Sequence, residues 1–500
     1  MKKDIFFSFL SGFLLILSFP SFNLEFLAWV GFIPLFFAIR NKSKTKAFLL
    51  SYLTGVIFWW GTIYWLVNVT FVGTFVLILY LALYFGLFGL IFRTYDLRSK
   101  AFNLILIPCA WVLLEYCRSY LLTGFPWALL GYSQYKNLPV IQIADITGAW
   151  GVSFLVMMAN VAIYSIVGKI KKNIILPVAV LIIVLGYGYY QLKLSAIEHE
   201  LSAQRSIKIS VIQPNIPQEL KWDPRAQNFI MDKYFELTRA VKPDSPDLII
   251  WPEAAVPAVL EEEPVFYQRL RNFTREIGSP LLFGAVNCNG EFYYNSALLL
   301  SAQGDLLGKY DKLHLVPFGE YIPLKKTFPF LETVAPIGDI TRGKEYTIFE
   351  IQNQKSKIKN KFSVLICFED LFPELSRGFV RRGAEFLVNI TNDAWYKDTS
   401  AAEQHFQASV LRAVENRITV IRSANTGISG FISPLGRVAG LVQGRSCKKT
   451  FIQGHLTQKI EARKAAFSFY TRYGNIFILI LFVFFICDIF YGIFTRRKKK

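Results

Sequence analysis

The sequence predicts a two-part protein: an α-helical membrane bundle of eight transmembrane helices and an extracytoplasmic α/β domain. Three observations predict it. Long apolar runs fill residues 1 to about 195 and return at 475–494. The roughly 260 residues between them alternate short β-rich stretches with amphipathic helical ones. Lysine and arginine, which make the chain +19 in formal charge, collect on alternate connections between the apolar runs.

A helix that crosses a bilayer needs about 20 mostly apolar residues. Seven candidates precede the mixed region, at about 4–19, 25–39, 47–67, 71–92, 101–117, 149–168 and 173–191. The eighth is NIFILILFVFFICDIFYGIF at 475–494. The first begins with MKK and is short, as a cleavable signal peptide would be. No small-residue cleavage site follows it and six more apolar runs do, so it reads as a retained anchor.

Charge orients these spans. With a cytoplasmic N-terminus, the inside segments are Lys2-Lys3, 40–46, 93–100, 168–172 and 495–500, with 17 lysines and arginines. The outside loops near 20–24, 68–70 and 118–148 hold only Arg118 and Lys136. That is the positive-inside pattern. It places the mixed domain outside, beyond the membrane, and both termini in the cytoplasm. With Asp4 and Asp96 subtracted, the cytoplasmic segments carry +15 of the +19. The basic balance reflects topology and anionic lipid, and no nucleic-acid partner is expected.

The expected domains are 1–195, 206–465 and 475–495. In the middle one, SIKISVIQ, DLIIW, SPLLFGAV, KFSVLIC, EFLVNI, ITVIRSA, GISGFISPLG and KTFIQGHL read as β-rich. Helices are expected at 225–241, 263–278, 372–382 and 401–417, and a hairpin over 296–310 turns at Gln303-Gly304-Asp305. Strands alternating with helices predict a layered α/β domain. Six cysteines give no disulfide framework. Cys109, Cys117 and Cys487 fall in spans, and the spacing of Cys288 and Cys447 gives no support to a bridge between them. With no CxxC or HExxH and four scattered histidines, no metal or cofactor is expected.

Chemistry is suggested at three strand ends, where ligand sites of α/β sheets collect. DLII runs into Trp251-Pro252-Glu253, the hairpin's second strand into Tyr310-Asp311-Lys312, and FSVLI into Cys367. A thiol beside the acids Glu369 and Asp370 needs a nearby cation to ionise, and a carboxylate can take its proton.

At these residues the sequence resembles the nitrilase superfamily, with its Glu-Lys-Cys triad. The resemblance runs through WPEAA (251–255), KYDKLHLVPFGEYIP (309–323), LICFED (365–370), NITNDAW (389–395) and RSANTGISGFISPLG (422–436), in family order. With QPNIPQELKW (213–222), TGFPWALLGYSQ (123–134) and the flanking spans, the chain is similar to the membrane-embedded branch, the bacterial apolipoprotein N-acyltransferases.

The resemblance implies an αββα sandwich, with Cys367 as nucleophile, Glu253 as proton acceptor and Lys312 as oxyanion stabiliser beside the Phe368 N–H. It implies acyl transfer from a phospholipid, through a thioester, to a diacylated apolipoprotein, by a protein that is a monomer. Glu320 is expected to position Lys312 or to cap backbone amides, Glu369 to match a further family position that supports the triad from behind, and Asn425 to satisfy backbone groups around the site. Trp222 is expected over the site or packed at its edge. Phe125, Trp127 and Tyr132 are expected either as a lipid-facing arm or as ordinary interfacial aromatics. Glu115, an acid within the fifth span, is a functional candidate or a partner for Arg118. His314 and His405 sit in motifs for which the family uses no catalytic histidine. Two other readings share the site: a membrane-tethered amidase, and a lipid-binding receptor, against which the intact Glu253, Lys312 and Cys367 argue.

Overall fold

The structure, a computed structural model, describes residues 2–95, 103–168, 175–201, 206–323, 340–353, 358–462 and 466–497. Parts of the basic segments 93–100, 168–172 and 495–500 lie outside them, as does the start of the span expected at 101–117. Packing divides the chain into one unit of Met1–Ser195, Thr399–Gln407 and Ser468–Lys500, and another of Ala196–Asp398 and Ala408–Phe467.

The first unit is helical. Among the described residues five helices are long and apolar enough to cross a membrane: Lys44–Asn68, Phe71–Thr94, Asn103–Thr123, Ala149–Val167 and Ile175–Leu194. The other three expected spans are helical but shorter, with Lys2–Leu17 at 16 residues and Ile476–Tyr491 as the apolar part of the last helix. The run 25–39 is not one helix. It splits into a 3-10 turn, Glu25–Trp29, and a helix, Ile33–Ile39, with Pro34 in its first turn. Proline and Gly31 at the break leave backbone groups to be satisfied by a neighbour. Asn160 does so, accepting from Phe32 N at 2.9 Å and donating to Ala28 O at 2.8 Å. Beside it Phe32, Phe85, Phe88 and Trp111 pack ring against ring. Lys44–Ile63 and Phe71–Thr94 approach so closely that a side chain at Gly89 would strike Ser51. Such small-residue contacts let membrane helices meet without a hydrophobic drive.

The second unit contains two six-stranded sheets. The first is built from β1 (Ser206–Gln213), β2 (Leu248–Ile250), β3 (Leu281–Asn289), β4 (Phe292–Leu300), β5 (Leu306–Asp311) and β12 (Gly454–Glu461), in the order β12-β1-β2-β3-β4-β5. The second contains β6 (Phe349–Gln352), β7 (Lys359–Ile366), β8 (Phe386–Thr391), β9 (Thr419–Ala424), β10 (Gly430–Ile432) and β11 (Val438–Leu441), in the order β11-β10-β9-β8-β7-β6. In each sheet the three central strands are parallel and the outer pairings antiparallel. Parallel neighbours need crossovers, which the helices Gln227–Val241, Pro264–Ile277, Pro373–Arg381 and Ala401–Asn416 supply.

The parallel strands β2 and β8 and the second half of β7 are the near-continuous apolar runs seen in the sequence, as strands covered on both faces should be. Trp251 is fully buried with Phe235, Phe273 and Phe283, and its indole N–H donates to Thr238 Oγ1 at 2.9 Å. The expected strand at 449–456 lies further on, at Gly454–Glu461, where it pairs with all of β1. Strands β6 and β11 were not expected. Each has four residues and half-exposed or alternating burial, too little pattern to stand out.

Candidate active site

Three strand ends carry the site. At the end of β2, Trp251 N donates to Leu282 O at 2.8 Å, and Gly284 N donates to Pro252 O at 3.1 Å. The chain passes Gly284 so tightly that a Cβ there would lie 2.6 Å from Ala254 N. This clamps Glu253. Its Oε1 accepts from Asn295 Nδ2 at 2.8 Å and its Oε2 from Asn392 N at 2.9 Å.

Lys312 follows β5 and is held by its own N–H, which donates to Asn295 O at 2.9 Å. Its side chain is 1% exposed, with Nζ 2.9 Å from Glu320 Oε1 and 3.6 Å from Glu253 Oε1. Burial works against this ammonium, but Glu320 and Glu253 outweigh it and hold its pKa above the ordinary lysine value. Glu320 is fixed in turn by Asn295 Nδ2 at 2.7 Å and Val316 N at 2.8 Å.

Cys367 opens the 3-10 turn Cys367–Leu371 after β7, with φ at +52°. A non-glycine residue in this left-handed region is strained, and such strain is held where surrounding contacts over-determine it. Those contacts are on both sides. Asn389 Nδ2 donates to Cys367 O at 3.0 Å. Glu369, fully buried, accepts from Ile366 N at 2.7 Å, Leu313 N at 2.7 Å, His314 N at 2.9 Å and the Tyr310 hydroxyl at 2.8 Å. One carboxylate thus ties the thiol's turn to the chain just past Lys312. Burial pushes Glu369 up to about 7 against those donors.

Burial and then Glu253 push the Cys367 thiol well above its ordinary value, while Lys312 pulls it down. Cys367 is 8% exposed and Phe368 7%. The arrangement can do one kind of chemistry well. A carboxylate that also faces an ammonium can receive the thiol proton, and the ammonium can meet negative charge that develops on a substrate oxygen.

The remaining expected residues divide. Asn425 accepts from Ile216 N at 2.8 Å and donates to Ile216 O at 2.8 Å and to Asn392 Oδ1 at 3.0 Å. It therefore binds the segment before Trp222 to the residue that holds Glu253. Trp222 is 48% exposed. Trp127 does not face lipid: it is 2% exposed within the helical unit, donating to Gln404 Oε1 at 2.7 Å and packing on Trp65 and His405. Its indole N–H needs a partner once buried, and Gln404 supplies it. Tyr132 is buried as well. Cys288 and Cys447 are both free.

Sequence reasoning missed Asn295, Asn392 and Lys221. Asn295 and Asn392 are polar residues inside or just after apolar strands, and a buried amide there needs partners. Lys221 is 1% exposed and donates to Glu253 O at 2.9 Å. Nothing in its sequence neighbourhood separates it from a solvated lysine.

Residues 11–162 match the family described as apolipoprotein N-acyltransferase N-terminal domain, and residues 208–460 match carbon-nitrogen hydrolase. An apolipoprotein N-acyltransferase of Geobacter metallireducens is 39% identical over 95% of this chain and 92% of its own length. Those of Chlorobaculum tepidum (30%, over 87% of this chain and 88% of its own) and Pasteurella multocida (29%, over 100% and 98%) are similar along their length. Among solved structures, an amidase from Nesterenkonia sp. AN1 aligns with 54% of this chain and 94% of its own, at 19% identity and a TM-score of 0.40.

Proposed function

This chain belongs to the apolipoprotein N-acyltransferase family, and from that premise we propose that it moves a fatty acyl chain from a membrane phospholipid to an apolipoprotein. The acceptor is the α-amino group of the lipoprotein's diacylglyceryl-cysteine, and the chain travels as a thioester on Cys367. The observation that carries this reading is the meeting of Glu253, Lys312 and the Cys367 turn at three strand ends.

The steps balance with these residues alone. Glu253 takes the Cys367 proton as sulfur attacks the ester carbonyl, and Lys312 faces the oxyanion. The C–O bond breaks, Glu253 returns the proton to the leaving lysophospholipid, and a thioester remains. The neutral amine, whose ordinary pKa of about 8 leaves part of it unprotonated near neutrality, then attacks. Its proton passes by way of Glu253 to the departing sulfur, and an amide forms. Two acyl transfers replace one sluggish aminolysis of an oxygen ester.

A membrane frame suits this chemistry. Each methylene drawn into water costs about 0.8 kcal/mol, so exposing a common fatty chain costs on the order of 10 kcal/mol. We extend the proposal to the eight-span topology with both termini cytoplasmic, to domains at 1–195, 206–465 and 475–495, and to a monomer. The αββα reading is supported within the second unit by Ser423 of β9, whose Oγ lies 3.1 Å from both Ile212 O of β1 and Ile250 O of β2. Reporter fusions at Gly308 and in segment 40–46 should report opposite sides of the membrane, and same-side signals would remove the topology.

The deciding experiment is mass analysis of the Cys367 peptide after exposure to phospholipid alone. An acyl adduct should form with release of lysophospholipid and persist until a diacylated lipopeptide is added. Initial-rate plots should be parallel, as a ping-pong scheme requires. Product without any thioester, or rapid hydrolysis with no preference for an amine, would overturn the reading in favour of direct transfer or of an amidase.

A further inference from the structure

The side chains described at the thiol do not balance in charge. Glu253 and Glu320 bring two negative charges and Lys312 one positive, with Nζ at 3.6 Å and 2.9 Å from them. Asp393 adds another carboxylate whose charge raises the Cys367 pKa, although Arg422 lies 3.8 Å from it. Passing the thiol proton to Glu253 keeps that excess and moves a charge onto sulfur, while losing it to solvent adds a further negative charge to the buried site. In a medium of low polarity that cost is large unless another cation is near.

One is. Lys221 stands just before the half-exposed Trp222, and its side chain turns inward to a position 1% exposed. Nζ donates to Glu253 O at 2.9 Å. That carbonyl begins the peptide into Ala254, whose φ of +45° is left-handed, so the ammonium braces a strained stretch of the strand end. A buried lysine normally pairs with a carboxylate, because an ammonium is costly to desolvate. The hydrogen bond here goes to a carbonyl instead. Burial pushes Lys221 down to about 8, with Glu253 and Cys367 pulling it back. Its charge is therefore felt at both the base and the thiol.

We propose that Lys221 is a positioning residue of the catalytic site: its buried ammonium holds the main chain at Glu253 and supplies the second positive charge that ionisation of Cys367 requires. The inference rests on Cys367 being the nucleophile and adds a cation beyond Lys312.

The test uses the full-length protein in detergent micelles and reads Cys367 alkylation by iodoacetamide, peptide by peptide, from about pH 6 to about pH 8, the range in which Lys221 still carries its charge. Lys221→Met should displace the rising rate profile upward by about one unit, read as a roughly tenfold slower reaction throughout this range. Lys221→Gln, whose amide can still donate to Glu253 O, should be displaced about as far. Lys221→Arg should restore most of the shift. A Lys221→Gln profile that overlies the unsubstituted one, in a protein with an unchanged melting curve, would reduce Lys221 to a loop anchor and overturn the inference. Should Lys221→Met fail to fold, the Gln and Arg pair still decides. Failure of the underlying reading has a different signature, undiminished acyl transfer by Cys367→Ala.

Discussion

In the helical unit Glu115 and Arg118 are both buried, and main-chain groups hold Arg118 and one oxygen of Glu115. Arg118 Nη1 donates to Phe125 O at 2.5 Å and Trp127 O at 2.9 Å, its guanidinium lies 4.8 Å from the Trp59 ring, and Glu115 Oε1 accepts from Leu130 N at 2.7 Å. In the α/β unit Glu253 and Lys312 are also buried, and apart from Asn392 N on one Glu253 oxygen they are held by side chains: Asn295, Glu320 and each other. A buried charge whose hydrogen bonds go to a loop's backbone is a peg for that loop. A buried charge shared among side chains, next to a strained thiol, keeps the means to move a proton. Glu369 stands between these cases, an acid near the thiol that is taken up by three backbone donors and the Tyr310 hydroxyl.

The largest expected effect tests which region holds the chemistry. Cys367→Ala should abolish lipopeptide N-acylation, a loss of at least about 10³-fold, while Cys288→Ala and Cys447→Ala stay close to full rate in a mass-spectrometric assay. Dependence on Cys288 or Cys447 in a folded protein would move the nucleophile elsewhere and dissolve the contrast.

Next comes the peg. Arg118→Leu strips two loop carbonyls of their donor and leaves Glu115 buried beside no cation, which should cost about 3–5 kcal/mol. Thermal unfolding in micelles should show it, with alkylation of Cys367 intact at low temperature. If stability holds and only activity falls, Glu115 and Arg118 belong to the chemistry after all.

Glu369→Gln should follow, at about 2–3 kcal/mol, because an amide nitrogen must now face backbone N–H donors. The pH dependence has a definite sign. The folded state keeps the Glu369 proton up to about 7, whereas an ordinary glutamate, at 4.5, has lost it. Stability contributed by this group is present below about 4.5 and declines as pH rises through about 7. Melting curves across that window should slope downward, and the substitution should remove this slope.

Asn295→Ala deletes the amide bridging Glu253 and Glu320 and should slow acyl transfer by roughly 10- to 30-fold, about 1–2 kcal/mol in barrier. A KM effect without loss of kcat would count against a role in holding the base. The smallest effect on stability belongs to Trp222→Ala, within about 0.5 kcal/mol for so exposed a side chain. A raised KM for phospholipid would place it on the substrate path, and unchanged kinetics would leave it an edge residue.

Several features were readable in the sequence because their signals are local. Runs such as FSVLI and EFLVNI mark buried strands by composition alone, and the strands end just before Cys367 and at Thr391. Apolar length marks the helices, although Pro34 and Gly31 show that length does not guarantee continuity. Trp127 was misread because an aromatic beside a span looks the same whether it faces lipid or a neighbour's glutamine. Strands β6 and β11, four residues each, were too short to carry a period.

The sequence by itself determined the family, the order of the elements and which strand ends bear an acid, an amine and a thiol. It could do so because strand and helix periods and motif order are properties of neighbouring residues. Only the tertiary structure decided that Asn295 bridges two glutamates, that Glu369 joins the Cys367 turn to the chain beyond Lys312, and that Lys221 turns inward to Glu253. These contacts join residues 25 to 56 positions apart, 32 in the case of Lys221. Their partners are fixed by strand register and burial, which no local pattern encodes.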